Sequence, residues 1–446
     1  MKKLFGTDGI RGHANEFPLD PSTVTIIGSA LTRCFRERLK REPRFVTGRD
    51  TRESGPGIEA AFHAGALAEG AQCESAGVIT TPGVAYVTNA FEFDAGVVIS
   101  ASHNPYQDNG IKIFSPDGKK IDDETERSIE AAVFSSPPAE IKMTDVANDR
   151  TGSFCDEYLK HLKRNAGGLS LAGMNLVIDC ANGAASWLAP DLFTTLGANV
   201  RSINDRPDGR NINRDCGSTH LEEVVNAVVE NRADVGIAFD GDADRALFVD
   251  EKGAVVDGDA TLWIMAQYLQ DRGKLKNSKV VATVMSNIGL QIAMASRGIE
   301  LLRANVGDKY VLEKLLETGS EIGGEQSGHI IFPNISLVGD GMMTALLLLK
   351  AVREMDVPLS GATKGFSRYP QILLNIPVRE KLPFETVPAI AAAAKKVEGE
   401  LQGDGRLLLR YSGTEKLARV MIEGKDQTGI EAQARRLAEV IGVALG

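Results

Sequence analysis

The chain has 446 residues, 43% of them hydrophobic, and this length predicts roughly three or four domains rather than one compact core. A formal net charge of −10 argues against a nucleic-acid surface, and five scattered cysteines without a Cys-x-x-Cys pair indicate neither disulfides nor a zinc site. No apolar run approaches the ~20 residues that span a bilayer, and no signal-peptide core follows the first residues, so we expect a cytoplasmic protein that does not enter a membrane.

Short β-branched runs alternate with helical candidates along most of the chain. The predicted strands are 44–46, 94–99, 176–178, 235–239, 246–249, 254–256, 280–284, 372–378, 407–409 and 420–422. The predicted helices are 21–41, 57–69, 122–132, 221–231, 259–270 and 342–352, with Asp259 expected to cap the fifth of them. This alternation predicts an α/β protein with mixed or parallel sheets covered on both faces.

Three segments of the chain indicate boundaries between domains. Residues 135–149 contain Ser-Ser-Pro-Pro and mixed charges, a hairpin signal ends near residue 255, and 361–370 combines glycine, serine and proline before a new strand. We therefore predict domains at 1–150, 151–255, 256–366 and 367–446. The last of these is expected to be a smaller α+β unit.

Ser102 follows the predicted strand 94–99 and precedes Asn104-Pro105, a pair that prevents helix continuation. The carboxyl ends of strands in open α/β sheets are where ligands bind. Ser102 is therefore a candidate nucleophile or phosphate carrier. The alternative is that it caps a turn or a helix through local hydrogen bonds.

Three aspartates, Asp240, Asp242 and Asp244, follow the predicted strand 235–239. Alternate residues of an extended segment project to one side, so the carboxylates can converge on a hard cation such as Mg²⁺. An EF-hand calcium loop is excluded because Arg245 stands where that loop needs glycine and because strands flank the segment. A solvated acidic turn is the remaining alternative.

Two further loops carry polar groups that suit a phosphorylated sugar. In residues 323–329, Glu325 and Ser327 can present a carboxylate and a hydroxyl to one side. The alternatives are that this is an ordinary glycine-rich turn before a strand and that His329 is a hydrogen-bonded core histidine. Residues 410–416 combine a guanidinium, hydroxyls and glycine amides, which suit a phosphate but also fit a plain hairpin turn. The cations Arg11, Lys112 and Arg245 would surround a phosphoserine; each is otherwise a solvated surface charge.

Together these segments resemble the α-D-phosphohexomutase superfamily over essentially the whole chain. The motifs that carry the resemblance are 6–12, 101–112, 240–245, 323–329 and 410–415. The resemblance implies four domains around a central cleft, three of them α/β with mixed sheets and the fourth a smaller α+β domain. In chain order they would supply a phosphoserine loop, a metal-binding loop, a sugar-binding loop and a phosphate-binding loop.

The same resemblance implies a role for each residue. Ser102 would be carried as phosphoserine. The Mg²⁺ ligands would be Ser102, Asp240, Asp242 and Asp244. Sugar hydroxyls would contact Glu325 and Ser327, and the non-reacting phosphate would be held by Arg410, Ser412, Gly413 and Thr414. The catalytic groups beside Ser102 would be Arg11, His103, Lys112, Arg245 and His329, among which His103, Lys112 and His329 are candidate proton carriers.

Gln326, together with Tyr106, Asp108, Asn109 and Gly110, is similar to the branch of the superfamily that acts on glucosamine phosphates. The implied reaction interconverts glucosamine 6-phosphate and glucosamine 1-phosphate through glucosamine 1,6-bisphosphate, for amino-sugar nucleotide and cell-wall precursor synthesis. The alternatives are phosphoglucomutase or phosphomannomutase activity and, more remotely, a phosphosugar hydrolase or a non-catalytic sugar-phosphate sensor. A homodimer is implied by the resemblance alone. Tyr411 and Lys416 stand where the superfamily commonly has proline, so this loop loses two rigid φ angles and gains two backbone donors.

Overall fold

The computed structural model describes residues 4–6, 8–138, 148–401, 403, 405–412 and 415–446. The chain divides into two compact units, one of residues 1–285 with 302–364 and the other of 286–301 with 365–446. Across the described residues, no helix combines the length and the apolarity needed to cross a membrane.

A mixed sheet forms the amino-terminal part of the first unit. Its elements are β1 (Phe5–Gly6), β2 (Gly9–His13), α1 (Pro21–Leu39), β3 (Arg44–Arg49), α2 (Gly55–Ala68), β4 (Gln72–Val78), α3 (Thr81–Ala90), β5 (Ala95–Ile99), β6 (Asp108–Phe114) and α4 (Asp123–Ser135). The strand order is β1-β2-β6-β5-β3-β4. Strand β5 is buried along its whole length and runs parallel to β3 and antiparallel to β6. The loop that contains Ser102 joins β5 to β6, so the predicted placement after a buried strand is confirmed.

A second mixed sheet follows. Its elements are α5 (Thr151–Ala166), β7 (Asn175–Asp179), α6 (Leu188–Thr195), β8 (Asn199–Ile203), α7 (Glu222–Asn231), β9 (Val235–Phe239), β10 (Ala246–Asp250) and β11 (Val255–Val256). The strand order is β11-β10-β9-β7-β8. Every residue of β9 and β10 is buried, and the two strands pair antiparallel. The aspartate segment is the turn between them, as the two flanking apolar runs predict.

The third group of elements contains a sheet of order β13-β12-β14-β15. These elements are α8 (Gly258–Asp271), β12 (Lys279–Thr283), α9 (Ile288–Ser296), β13 (Glu300–Ala304), α10 (Asp308–Thr318), β14 (Gly323–Gly324), β15 (Ile330–Ile331), α11 (Gly341–Met355) and α12 (Leu359–Ala362). The predicted cap of α8 is wrong. Asp257 is the cap, because its extended backbone lets the carboxylate accept the Ala260 N–H at 3.0 Å, whereas Asp259 lies inside the first turn.

The second unit is built on an antiparallel sheet of order β16-β18-β17. Its elements after α12 are β16 (Gln371–Pro377), α13 (Pro388–Leu401), β17 (Arg406–Tyr411), β18 (Leu417–Glu423) and α14 (Gln427–Leu445). Helix α9 belongs to this unit, since Asn287 at its start donates to Tyr369 O at 3.0 Å and to Glu423 at 3.2 Å. The predicted α/β class with mixed sheets is confirmed.

Candidate active site

Ser102 lies at the centre of a buried cluster in the first unit. The residue is 1% exposed, and its Oγ donates to Asp240 Oδ2 at 2.5 Å. Its backbone has a positive φ of 52°, which non-glycine residues adopt uncommonly and which concentrates at functional sites. The structure therefore joins the predicted serine loop to the predicted aspartate loop.

The serine loop is held by its backbone carbonyls. The buried Arg52 donates to Ser102 O at 3.0 Å and to Asn104 O at 2.8 Å. Asn213 donates to the same two carbonyls, at 2.8 and 2.9 Å. The Arg52 guanidinium is itself paired with Asp50, Nε to Oδ2, at 2.9 Å. The serine side chain is thus fixed in place without any of these groups contacting its hydroxyl.

Asp240, Asp242 and Asp244 have the geometry of a cation site. One carboxylate oxygen from each lies within 4.8 Å of the others. Asp242 Oδ1 and Asp244 Oδ1 are buried and have no hydrogen-bond partner among the described residues. Burial and the carboxylates of Asp244 and Asp242 hold the pKa of Asp240 well above its usual range. Three hard oxygen donors with two unsatisfied atoms fit Mg²⁺, which would relieve this repulsion.

The approach of the two loops requires glycine at position 241. A Cβ there would lie 2.6 Å from Ser102 O, which is closer than real Cβ contacts. Any larger residue would push the aspartate loop away from the serine. The Gly between the first two aspartates is therefore a packing requirement as well as a spacer.

Lys112 contacts the aspartate loop through the other carboxylate oxygens. Its Nζ lies 2.9 Å from Asp242 Oδ2 and 3.3 Å from both Asp244 Oδ2 and Asp8 Oδ2. Burial opposes the charged amine, but Asp242, Asp8 and Asp244 hold the pKa of Lys112 well above its usual range. This geometry favours the charged form of Lys112. Thr81 also holds Asp242, donating from Oγ1 to Oδ2 at 2.6 Å.

The predicted groups His103, Arg245 and Arg11 surround the serine loop. His103 Nδ1 lies 3.3 Å from Ser102 Oγ and 3.0 Å from Arg245 Nη1. Burial and the guanidinium groups of Arg245 and Arg11 lower the pKa of His103 to about 4, so the ring is neutral near pH 7. Arg11 donates to Ala101 O at 2.8 Å and also pairs with Asp8.

The predicted sugar loop connects to this cluster through its last residue, His329. Its Nδ1 lies 3.6 Å from Asp244 Oδ1, and its Nε2 accepts the Gly339 N–H at 3.1 Å. Burial opposes protonation, but Asp244 raises the pKa of His329 to about 9. The Gly339 N–H favours instead the neutral ring with its proton on Nδ1. We take the neutral form as the one this geometry fixes, since a doubly protonated ring would lose that bond.

Glu325 and Ser327 lie partly exposed in the same loop. Glu325 Oε1 accepts the Gly307 N–H at 3.1 Å, and Ser327 Oγ lies 3.5 Å from Glu325 Oε2. The two side chains therefore share one side of the loop, as their spacing predicts. Gln326 turns the other way and donates to Asp259 Oδ2 at 3.2 Å.

The predicted phosphate loop belongs to the second unit. Arg410 and Arg419 face each other across β17 and β18, and Arg419 Nη2 lies 3.4 Å from Ser412 Oγ. Burial and the Arg419 guanidinium lower the pKa of Arg410. The Nε of Arg419 is buried without a hydrogen-bond partner among the described residues. Gly413 and Thr414 lie outside the described residues.

Several residues that build the site were missed at the sequence level. They are Asp8, Asp50, Arg52, Thr81, Asn213 and Lys381, the last of which donates from Nζ to Ser412 O at 2.6 Å. Only Asp8, inside the Gly-framed segment 6–12, stands beside a recognised motif. The others carry no local signal.

Comparison with known proteins identifies the family. Residues 2–139, 156–253 and 257–369 match alpha/beta/alpha domains I, II and III of phosphoglucomutase/phosphomannomutase, and residues 373–440 match its C-terminal domain. The chain therefore belongs to the phosphoglucomutase/phosphomannomutase family.

Within that family the chain groups with the phosphoglucosamine mutases. A protein of that name from Caldicellulosiruptor bescii is 47% identical over 446 residues, covering 99% of both chains. Solved structures share the fold. A Burkholderia thailandensis family protein has a TM-score of 0.80 at 24% identity, covering 99% of this chain and 97% of its own. N-acetylphosphoglucosamine mutase from Aspergillus fumigatus, in complex with GlcNAc-6P and magnesium, has a TM-score of 0.68 at 18% identity, covering 99% and 96%.

Proposed function

We propose that this protein interconverts glucosamine 6-phosphate and glucosamine 1-phosphate through phosphorylated Ser102. The observation that carries the proposal is the junction of Ser102 with the three aspartates, where the hydroxyl meets Asp240 at 2.5 Å. Relatives named phosphoglucosamine mutase, 47% identical over the whole chain, support the choice of sugar.

In the proposed reaction, phosphoserine 102 donates its phosphoryl group to O1 of the 6-phosphate. The resulting glucosamine 1,6-bisphosphate turns over and returns its 6-phosphate to Ser102, leaving the 1-phosphate. Mg²⁺ held by Ser102, Asp240, Asp242 and Asp244 would supply charge stabilisation at the phosphoryl oxygens. Lys112, whose amine is paired with carboxylates, would supply a positive charge at the phosphoryl group together with Arg11 and Arg245.

Proton transfer in the proposed reaction falls to His103 or His329. His103 is the stronger candidate by position, because its Nδ1 lies 3.3 Å from Ser102 Oγ. In the neutral ring this nitrogen accepts from Arg245 Nη1 at 3.0 Å, so its use as a proton carrier requires that contact to open. His329 contacts Asp244 rather than the serine. Its proposed contribution is therefore to orient that carboxylate.

Substrate binding is proposed for two further loops. Glu325 and Ser327 would contact sugar hydroxyls, and Arg410, Ser412, Gly413 and Thr414 would hold the phosphate that is not being transferred. The guanidinium of Arg410, whose pKa is lowered by burial and by the neighbouring Arg419, supports an anionic ligand at the second loop. The segment limits 1–150, 151–255, 256–366 and 367–446, the central cleft, the cytoplasmic location and the homodimer stay predictions.

The decisive experiment replaces Ser102 with alanine. We expect Ser102→Ala to lose at least about a thousandfold in mutase activity, because no group remains to carry the phosphoryl. Intact mass with peptide mapping should find one phosphate in the unaltered protein and none in the variant. Its fold is checked by thermal unfolding.

Each competing function predicts a different result. An active Ser102→Ala variant would contradict the carrier role. Net release of phosphate from the bisphosphate would indicate a hydrolase, and binding without isomerisation after priming with bisphosphate would indicate a sensor. A higher kcat/KM for glucose or mannose phosphates would favour the phosphoglucomutase or phosphomannomutase alternative.

A further inference from the structure

A fully buried tyrosine lies behind the aspartate loop. Tyr158, on α5, is 0% exposed, and its hydroxyl donates to Asp340 Oδ2 at 2.9 Å. A buried phenol needs such a partner, and this partner begins a segment that leads directly to the candidate active site.

Asp340 is the cap of α11, where its Oδ1 accepts the Met343 N–H at 2.9 Å. The residues on either side of it donate their backbone N–H groups to the site. Gly339 N donates to His329 Nε2 at 3.1 Å, and Gly341 N donates to Ala243 O, inside the aspartate loop, at 3.0 Å. The position of Asp340 therefore sets both contacts.

This segment has almost no space in which to move. A Cβ at Gly339 would lie 2.5 Å from His329 Nε2, and a Cβ at Gly341 would lie 2.5 Å from Arg245 O. In such close packing, a displacement of a few tenths of an ångström changes the neighbouring side chains. The hydrogen bond from Tyr158 acts on the residue between these two glycines.

We propose that Tyr158 is a positioning residue for the aspartate loop, fixing the Asp340 cap so that Gly339 and Gly341 hold His329 and the aspartate loop in register. The role in catalysis rests on the proposed mutase function. The role in holding the loop does not, because it concerns groups that are in place without substrate.

The test is Tyr158→Phe, which removes only the hydroxyl. We expect kcat to fall about tenfold with KM within about twofold of the unaltered value, and Mg²⁺ affinity to fall several-fold, as is typical when a partner behind a metal ligand is removed. In the metal-free protein, the ring ¹⁵N signals of His329, assigned with His329→Gln, should move toward a mixture of tautomers as the Gly339 contact loosens.

Tyr268→Phe is the matched control. Tyr268 OH donates to Glu354 Oε2 at 2.8 Å, so the same bond type is lost at the other end of α11, about 20 Å along the helix from Asp340. We expect this control to lower thermal stability without changing kcat, Mg²⁺ affinity or the His329 signals. Asp340→Asn, which keeps an acceptor of the same size, is measured in the same way in case Tyr158→Phe does not fold.

The proposal is overturned if Tyr158→Phe, or Asp340→Asn in its place, loses thermal stability like Tyr268→Phe but keeps kcat, Mg²⁺ affinity and the His329 spectrum. Absence of mutase activity in the unaltered protein would contradict the proposed function instead. The Mg²⁺ titration and the spectrum are recorded without substrate, so they decide the role of Tyr158 in either case.

Discussion

The serine and aspartate loops of the first unit differ from the phosphate loop of the second in how their charges are balanced. Around Ser102, acidic and basic groups are buried together, and Lys112 alone contacts three carboxylates within 3.3 Å. Between β17 and β18, two arginines are cross-strand neighbours, and the Arg410 side chain has no hydrogen bond or ion pair among the described residues. The first region is organised without a ligand, whereas at the second the proposed phosphate would supply the balancing charge.

Asp240→Asn tests the first half of this contrast and has the largest expected effect. Removing one of three crowded carboxylates weakens Mg²⁺ binding by at least about a hundredfold and mutase activity by about a thousandfold. The Tm of the metal-free protein should stay unchanged or rise, because burial and two neighbouring carboxylates raise the pKa of Asp240. Calorimetric Mg²⁺ titration and thermal unfolding measure the two effects.

Asp250→Asn is the control for this prediction. Asp250 is another buried aspartate, 4% exposed, at the end of the neighbouring strand β10, but its carboxylate accepts the N–H groups of Lys252 and Ala254 in a turn. The control should lower the Tm and leave Mg²⁺ affinity unchanged. Equal loss of Tm in both variants would show that Asp240 is a structural residue.

Arg410→Gln tests the second half, with an intermediate effect. Loss of one charged contact to phosphate should raise KM for the sugar phosphate about ten- to thirtyfold, equivalent to about 1.4–2 kcal/mol. Mg²⁺ affinity should not change. Steady-state kinetics measure the KM. The control is Arg436→Gln, which removes an exposed arginine of α14 that pairs with Glu400 of α13. An unchanged KM in Arg410→Gln would remove the phosphate role.

The smallest expected effect concerns the ring of His103. NMR titration of the metal-free protein should show it neutral down to pH about 4, because burial and the cations Arg245 and Arg11 lower its pKa. A folded-state pKa below the unfolded value of 6.5 means that this ring contributes stability above pH 6.5 and that the contribution is lost as the pH falls toward 4. In Arg245→Gln the pKa should rise part of the way back. Protonation near 6.5 in the unaltered protein would contradict the burial of the ring.

Sequence patterns predicted those parts of the fold and site that are local in the chain. Ser102 and the three aspartates each follow a continuous apolar run, and such runs became the fully buried strands β5 and β9. The helix start at Asp259 was wrong by two residues, because two aspartates compete for the same cap and only the backbone conformation at Asp257 decides between them.

The supporting residues could not be predicted because they act across long separations. Thr81 and Asp242 are 161 residues apart, and Arg52 reaches the serine loop from 50 residues away. An arginine is ordinarily a surface residue, so nothing near Arg52 in the sequence indicates that its side chain is buried. Tyr158 carries an ordinary helical core pattern. The role of its hydroxyl becomes visible only in the folded chain, where it donates to Asp340.

Arg52 and Asn213 hold the serine loop by donating hydrogen bonds to the carbonyl oxygens of Ser102 and Asn104. Hydrogen bonds to these backbone carbonyls do not depend on what is attached to the serine side chain. In the proposed cycle, which removes a doubly charged group from the hydroxyl and restores it once per turnover, the main chain can therefore keep a single conformation in both covalent states. A loop held in this way would add no backbone rearrangement to the barrier of the proposed phosphoryl transfer.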